Sequence, residues 1–357
     1  MEAGQRKVRI AVDAMGSDVG PEIVVRGSIQ AVRDMAGSVE VVLVGNEPTI
    51  WAALRSEDAE GLPLVVVHAR ERIGMSEKAR QAYRRKRDSS IAVCASLVQT
   101  GRAEALVSTG NTGAVVTTFL LNLGRTRGIK RPAIASVIPT SEGQCVMLDV
   151  GANADCKPLH LYQFAQMGRT YAQLILGISN PRVGLLNIGE EPSKGSALAQ
   201  AAHQLLAQGR DQLNFIGNVE GRDIFGSKAD VVVCDGFTGN VILKLAGSLA
   251  SFGSRAIKRE IQQSLAARCG ALLMKPAFRS LGRRFNYEEY GGALLLGTRG
   301  VCVIGHGRSS PRAIRNAIDV AARSVRSSLE DSILQIIEAD RTVARPIEAQ
   351  VTPSVGP

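Results

Sequence analysis

The chain contains nothing approaching the roughly 18 consecutive apolar residues of a membrane-crossing helix, so no transmembrane segment is expected. Its first residues, Met1-Glu2-Ala3-Gly4-Gln5-Arg6-Lys7, lack the apolar core of a secretion signal, and a cytoplasmic protein is expected. The six cysteines, Cys94, Cys145, Cys156, Cys234, Cys269 and Cys302, form no Cys-x-x-Cys pair. That pattern excludes the usual zinc modules and fits free thiols in a reducing compartment. Aromatic residues make up 4% of the chain, and no aromatic platform or glycine-rich RNA-binding motif accompanies the basic run Arg84-Arg85-Lys86-Arg87. The run therefore reads as a solvated helix face, and no nucleic acid is expected as partner. There is no Gly-Lys-Ser/Thr to close a Walker loop and no Gly-x-Gly-x-x-Gly for a dinucleotide. Asp230 and Asp235 are too few for the metal-binding aspartates of a dehydrogenase. No metal and no cofactor are expected.

What is present is an alternation of apolar runs, small polar loops and amphipathic stretches over 357 residues, 45% of them hydrophobic. Strands are predicted at 8–12, 39–44, 64–67, 105–107, 133–138, 145–150, 183–188, 214–216, 231–233 and 301–304, with helical patterns between most of them. The order implies an α/β fold, a mostly parallel sheet with helices on both faces. The organising stretch is Leu106-Val107-Ser108-Thr109-Gly110-Asn111-Thr112-Gly113, a strand ending in a glycine-rich turn that opens a helix. Such a turn aims several backbone N–H groups and a helix dipole at one spot, which favours an anion. Similar small, polar loops follow other strands: Asp13 to Gly20, Asp149 to Asn153, Gly189 to Gly195 and Cys234 to Asn240. His306-Gly307-Arg308 follows the strand at 301–304. Open α/β sheets place ligands at strand carboxyl ends, so these loops are expected to converge on one site.

The pattern divides the chain into an α/β catalytic body, 1–240 with 286–338, a helical hairpin at 241–285, and a disordered tail at 339–357. The hairpin is predicted to break at Arg268 to Pro276, exposing Leu272, Leu273 and Met274. Its second helix carries Met274, Phe278, Leu281 and Phe285 as an apolar stripe among Lys275, Arg279, Arg283 and Arg284. A basic helix with an apolar face suits either a dimer contact or an anionic membrane surface. The formal charge of +10 calls for an acidic partner.

Taken together the loops resemble the bacterial phosphate acyltransferase family. The resemblance rests on Ile10-Ala11-Val12-Asp13-Ala14-Met15-Gly16-Ser17-Asp18, Arg85-Lys86 with Ser89-Ser90, Ser108 to Ala114, and Asp149-Val150-Gly151-Ala152-Asn153. It continues through Leu186 to Glu191, Lys194-Gly195, Gly217 to Gly221, Asp235-Gly236-Phe237-Thr238-Gly239-Asn240, Tyr290 to Ala293 and His306 to Ser310. Thr109 stands where the family usually has Ala, and Gly247 where an acidic residue is common. The resemblance implies a fold like isopropylmalate dehydrogenase and phosphotransacetylase, and conversion of acyl-[acyl-carrier protein] and inorganic phosphate to acyl phosphate, feeding phospholipid synthesis. It also implies a homodimer held peripherally at the inner face of the cell membrane, with a glycerol-3-phosphate acyltransferase consuming the product. Lys194 and Asn240 carry the catalytic weight by that resemblance. Asp13, Gly16, Thr109, Gly110, Asn111, Thr112, Gly113, Asp149, Asn153, Glu190 and His306 are the candidate substrate contacts, and Leu272, Leu273, Met274 and Phe278 the membrane contacts. The alternatives are a phosphotransacetylase acting on acyl-coenzyme A and a non-enzymatic protein that binds anionic membranes.

Overall fold

The computed structural model describes residues 6–278, 282 and 287–340. Eleven strands form one sheet: β1 (Val8–Asp13), β2 (Val39–Gly45), β3 (Leu64–His68), β4 (Ala105–Ser108), β5 (Ala133–Pro139), β6 (Gln144–Leu148), β7 (Val183–Leu186), β8 (Phe215–Val219), β9 (Val231–Val233), β10 (Ala293–Leu296) and β11 (Val301–Ile304). Their order across the sheet is β3-β2-β1-β4-β11-β10-β5-β6-β9-β7-β8. Val, Ile and Leu fill these strands on both faces, as strands buried under helices on two sides require. One face packs the helices Pro21–Asp34, Pro158–Leu174, Ala197–Gln208, Pro311–Arg326 and Leu329–Ala339. The other packs Ser90–Gln99, Thr112–Leu123 and the start of the long helix Gly236–Gln262.

Pairing is mostly parallel, as expected, with one consequence the linear pattern does not show. β5 runs antiparallel to both its neighbours, β10 and β6, and β10 runs antiparallel to β11. β1, β4 and β11 therefore point one way, and β6, β9, β7 and β8 point the other. The carboxyl-end loops lie on two edges of the sheet, which corrects the expectation that they converge on one site. The blocks oppose because three successive pairings are antiparallel, β11–β10, β10–β5 and β5–β6, an odd number; a tight turn closed by Thr140 N–H donating to Gly143 O at 3.0 Å makes the last of them.

The hairpin also differs from the prediction. Gly236–Gln262 ends at Gln263, and Ser264 caps the next helix, Leu265–Leu273, by accepting from Ala267 N–H. A first break thus falls at 263–264, where Ser264 offers an N-cap, and a second at Met274, inside the predicted 268–276, after which helix resumes at 275–278. Leu272, Leu273 and Met274 sit at the end of that helix, 69%, 85% and 53% exposed, and Phe278 is half-buried. Arg279, Leu281, Arg283, Arg284 and Phe285 lie outside the described residues, as does the tail from 341. Near the end of the body two helices, Pro311–Arg326 and Leu329–Ala339, are separated where Ser328 takes φ 49°. No helix among the described residues is long and apolar enough to cross a membrane.

Candidate active site

The first group of candidate residues lies at the carboxyl ends of β1, β4 and β11. Asp13 is 1% exposed, and its carboxylate accepts from Ser108 Oγ at 2.7 Å and from Met15 N–H at 3.1 Å. Burial pushes its carboxyl above the ordinary value, and hydrogen bonds from Ser90, Ser108, Met15 and Gly16 oppose that rise. Ser108 Oγ in turn accepts from Gly110 N–H at 3.0 Å, so one buried carboxylate sets the start of the glycine-rich turn. Gly16 is required there: a Cβ would stand 2.7 Å from both Asp13 Oδ2 and Gly110 N. Asn111 caps the helix Thr112–Leu123 by accepting from Ala114 N–H at 3.0 Å, and its amide donates to Met75 O and Glu77 O. Thr112 and Gly113 are exposed first-turn residues, and the N–H groups there have no intrahelical acceptor. Donors so placed at a helix start suit an anion.

Thr109 is buried against Gly305, and its Oγ1 has no partner among the described residues. Compared with an Ala, Thr109 adds this hydroxyl and a methyl, Cγ2, which lies 2.7 Å from where a Gly305 Cβ would stand. Gly247, the other departure, is exposed on the long helix, and a Cβ there would meet nothing within 4 Å. His306 is exposed, with Nδ1 accepting from Arg308 N–H at 3.2 Å.

The second group lies at the carboxyl ends of β6, β9 and β7. Asp149 is fully buried and accepts five hydrogen bonds: from Ile134, Gly151, Ala152 and Asn153 N–H and from Asn153 Nδ2, at 2.7 to 3.1 Å. Asn153 Nδ2 also donates to Pro132 O at 2.7 Å, and Asn153 O accepts from Gly236 N–H at 2.8 Å. The long helix thereby starts directly on the Asp149 loop. A Cβ at Gly239 would stand 2.0 Å from Asp149 O, so no larger residue allows that approach. Asn240, one turn into the helix, lies over Gly151, with Cγ 3.8 Å from where a Gly151 Cβ would be. Lys194 is exposed, its stem packed over Gly189, and its ammonium forms no ion pair among the described residues. Glu190 is ion-paired with Lys228 at 2.7 Å and Arg222 at 3.7 Å.

The structure thus brings together Asp13, Gly16, Thr109, Gly110, Asn111, Thr112, Gly113 and His306 on one edge. It brings together Asp149, Asn153 and Asn240 on the other, with Lys194 and Glu190 on the loop after the neighbouring strand. The carboxylates of Asp13 and Asp149 are buried and bonded to the loops around them. Along the sheet, Asn240 and Lys194 follow strands five and six places from β4, about 24 and 29 Å at roughly 4.8 Å per strand. Sequence reasoning missed Ser90 as a partner of Asp13, although Ser89-Ser90 at a helix start carried the signal.

A family model described as fatty acid synthesis protein matches residues 8–331. A phosphate acyltransferase of Nitratidesulfovibrio vulgaris is 45% identical over 336 residues, 94% of this chain and 96% of its own. One from Heliobacterium modesticaldum is 48% identical over 331 residues, 92% of this chain and 98% of its own. A solved phosphotransacetylase from Streptococcus pyogenes shares the fold with a TM-score of 0.63 at 17% identity, over 90% of this chain and 94% of that one.

Asp149→Ala leaves three buried N–H bonds unmade, those of Ile134 N–H, Asn153 N–H and the second N–H of Asn153 Nδ2, whose other N–H keeps Pro132 O. At about 1–3 kcal/mol for each buried unsatisfied donor, the expected loss is about 3 kcal/mol or more. Denaturant unfolding measures it; a loss under about 1 kcal/mol would mean the loop is held by other means.

Proposed function

Because the chain belongs to the phosphate acyltransferase family, we propose that it transfers the acyl group of an acyl-[acyl-carrier protein] to inorganic phosphate. A phosphate oxygen attacks the thioester carbonyl, the C–O bond forms, the C–S bond breaks, and the electron pair leaves on sulfur. Phosphate is already anionic near neutral pH and needs placing more than deprotonating. A thiol with a pKa of about 8.5 leaves with little acid help, so the reaction needs no Ser-His or Cys-His pair. In this reading Lys194 neutralises the phosphate and Asn240 donates to the oxyanion of the tetrahedral intermediate. The observation that carries it is the pair itself: an ammonium without an ion pair and a carboxamide above Gly151, at the carboxyl ends of neighbouring strands.

Phosphate is held by the 109–113 turn in the same reading, and one protomer keeps that turn far from Lys194. A homodimer joins them, the turn of one protomer facing Lys194 and Asn240 of its partner. Support comes from the long helix, where Phe237, Val241, Leu245, Leu249 and Phe252 make an exposed apolar stripe that starts in the turn holding Asn240. Leu272, Leu273 and Met274 form the peripheral membrane contact, beside Lys275 and facing the cytoplasmic leaflet. Burying each is worth about 1.5–3 kcal/mol, enough together for reversible attachment. Acyl phosphate, apolar and easily hydrolysed, would then be released where a membrane acyltransferase consumes it.

Lys194→Ala should lower phosphate-dependent release of carrier thiol by about 10²–10³ with an unchanged melting profile. A folded variant of near-normal rate would remove Lys194 from the mechanism. Leu272→Glu with Leu273→Glu should abolish sedimentation with anionic vesicles. Vesicle binding equal to that of the parent would put the membrane contact elsewhere.

A further inference from the structure

The segment 124–132, Gly-Arg-Thr-Arg-Gly-Ile-Lys-Arg-Pro, holds four cations and no carboxylate. It is a fixed platform. Thr126 N–H donates to Gly297 O at 3.1 Å and Thr126 Oγ1 to Thr298 O at 3.0 Å. Lys130 N–H donates to Gln163 Oε1 at 2.8 Å, and Gln163 Nε2 to Gly128 O at 3.0 Å. Through Asn153 Nδ2 and Pro132 O the platform is tied to the Asp149 loop, on the edge that carries Asn240. Lys157, the residue before the helix Pro158–Leu174, adds a further cation on that side, next to Cys156, whose thiol lies against Asn153 O. Burial, with the positive charge of Arg131, Lys157 and Lys130, holds the His160 pKa below its ordinary value. Arg127, Arg131 and Lys157 are exposed and form no ion pair among the described residues; Asp155 is the exposed acid beside them.

We infer that Arg127, Arg131 and Lys157 form the surface on which an acidic carrier protein docks, so that its acyl thioester reaches the Asn240 edge. The inference rests on the acyl-carrier reading above. A second basic surface, Arg80, Arg84 and Arg85, borders Gly113 on the opposite edge. There Lys86 is bound to Glu77 and Arg87 lies over the Tyr83 ring, and no candidate for oxyanion contact stands on that side. In the proposed dimer both surfaces adjoin the composite site, and the first is the one carried by the protomer that presents Asn240, tied to the Asp149 loop through Pro132.

The test compares two substrates, an acyl-carrier protein and the uncharged acyl-pantetheine thioester. Arg127→Glu, Arg131→Glu and Lys157→Glu together should raise KM for the carrier substrate by about tenfold or more and flatten the salt dependence of kcat/KM. KM for the pantetheine thioester should move by less than about twofold, since that substrate has no acidic surface to lose. If the triple variant does not fold, Arg127→Gln with Arg131→Gln carries the same comparison. Equal changes for both substrates, or an unchanged carrier KM, would overturn the inference. So would a carrier KM that rises with Arg80→Glu and Arg84→Glu but not with the triple variant. Failure of the parent to release carrier thiol in a phosphate-dependent way would instead remove the acyl-carrier reading itself.

Discussion

Three successive antiparallel pairings, β11–β10, β10–β5 and β5–β6, reverse the strand direction across the sheet, and that reversal decides where each functional loop falls. A parallel sheet gathers its carboxyl-end loops along one edge, which is why such folds bind ligands there. Here two parallel blocks meet through antiparallel neighbours, so the anion-facing turn at 109–113 and the Lys194–Asn240 loops open from different edges. A reaction that needs both must bring the edges of two molecules together. The apolar stripe of the long helix, beginning beside Asn240, fits that need.

Each edge is built around a buried carboxylate. Asp13 holds Ser108, and through it the amide of Gly110; Asp149 holds its own loop and the start of β5. Both trade hydration for hydrogen bonds, and a buried carboxylate is tolerable only when so many donors face it. Glycines complete the arrangement where backbones touch, at Gly16 beside Gly110 and at Gly239 against Asp149. The rigidity matters because donors that stabilise a developing charge help most when they are already in place.

Much of this was legible in the sequence. Apolar runs located ten of the eleven strands, most within a residue or two; β10 was not separated from its loop and β8 runs three residues beyond its predicted end, while the small polar loops marked the residues that form the two groups. Strand direction was not legible, because pairing depends on contacts far apart in the chain; the β5–β6 turn looks like any other polar connection. The helix break at Met274 was legible from the stretch before Pro276, whereas the one at Ser264 was not, because a plain N-cap serine inside a helical pattern carries little signal. Asp13 and Asp149 read as ligand contacts because a carboxylate at a strand end looks alike whether it faces solvent or its own loop. The cations of 124–132 carried no motif, and only their position beside Asn153 gives them a role.

The joining of the two edges across a pair of molecules is tested most directly by mixing two damaged enzymes. Lys194→Ala removes the ammonium, and Thr112→Glu puts a carboxylate where the turn should hold phosphate. Each is expected to be nearly inactive alone. After exchange of subunits, half of the dimers are mixed and each has one intact composite site, so activity should return to about a quarter of the parent's. If the mixture stays as inactive as its components while mixed dimers are shown to form, the site lies within one protomer and the account is wrong.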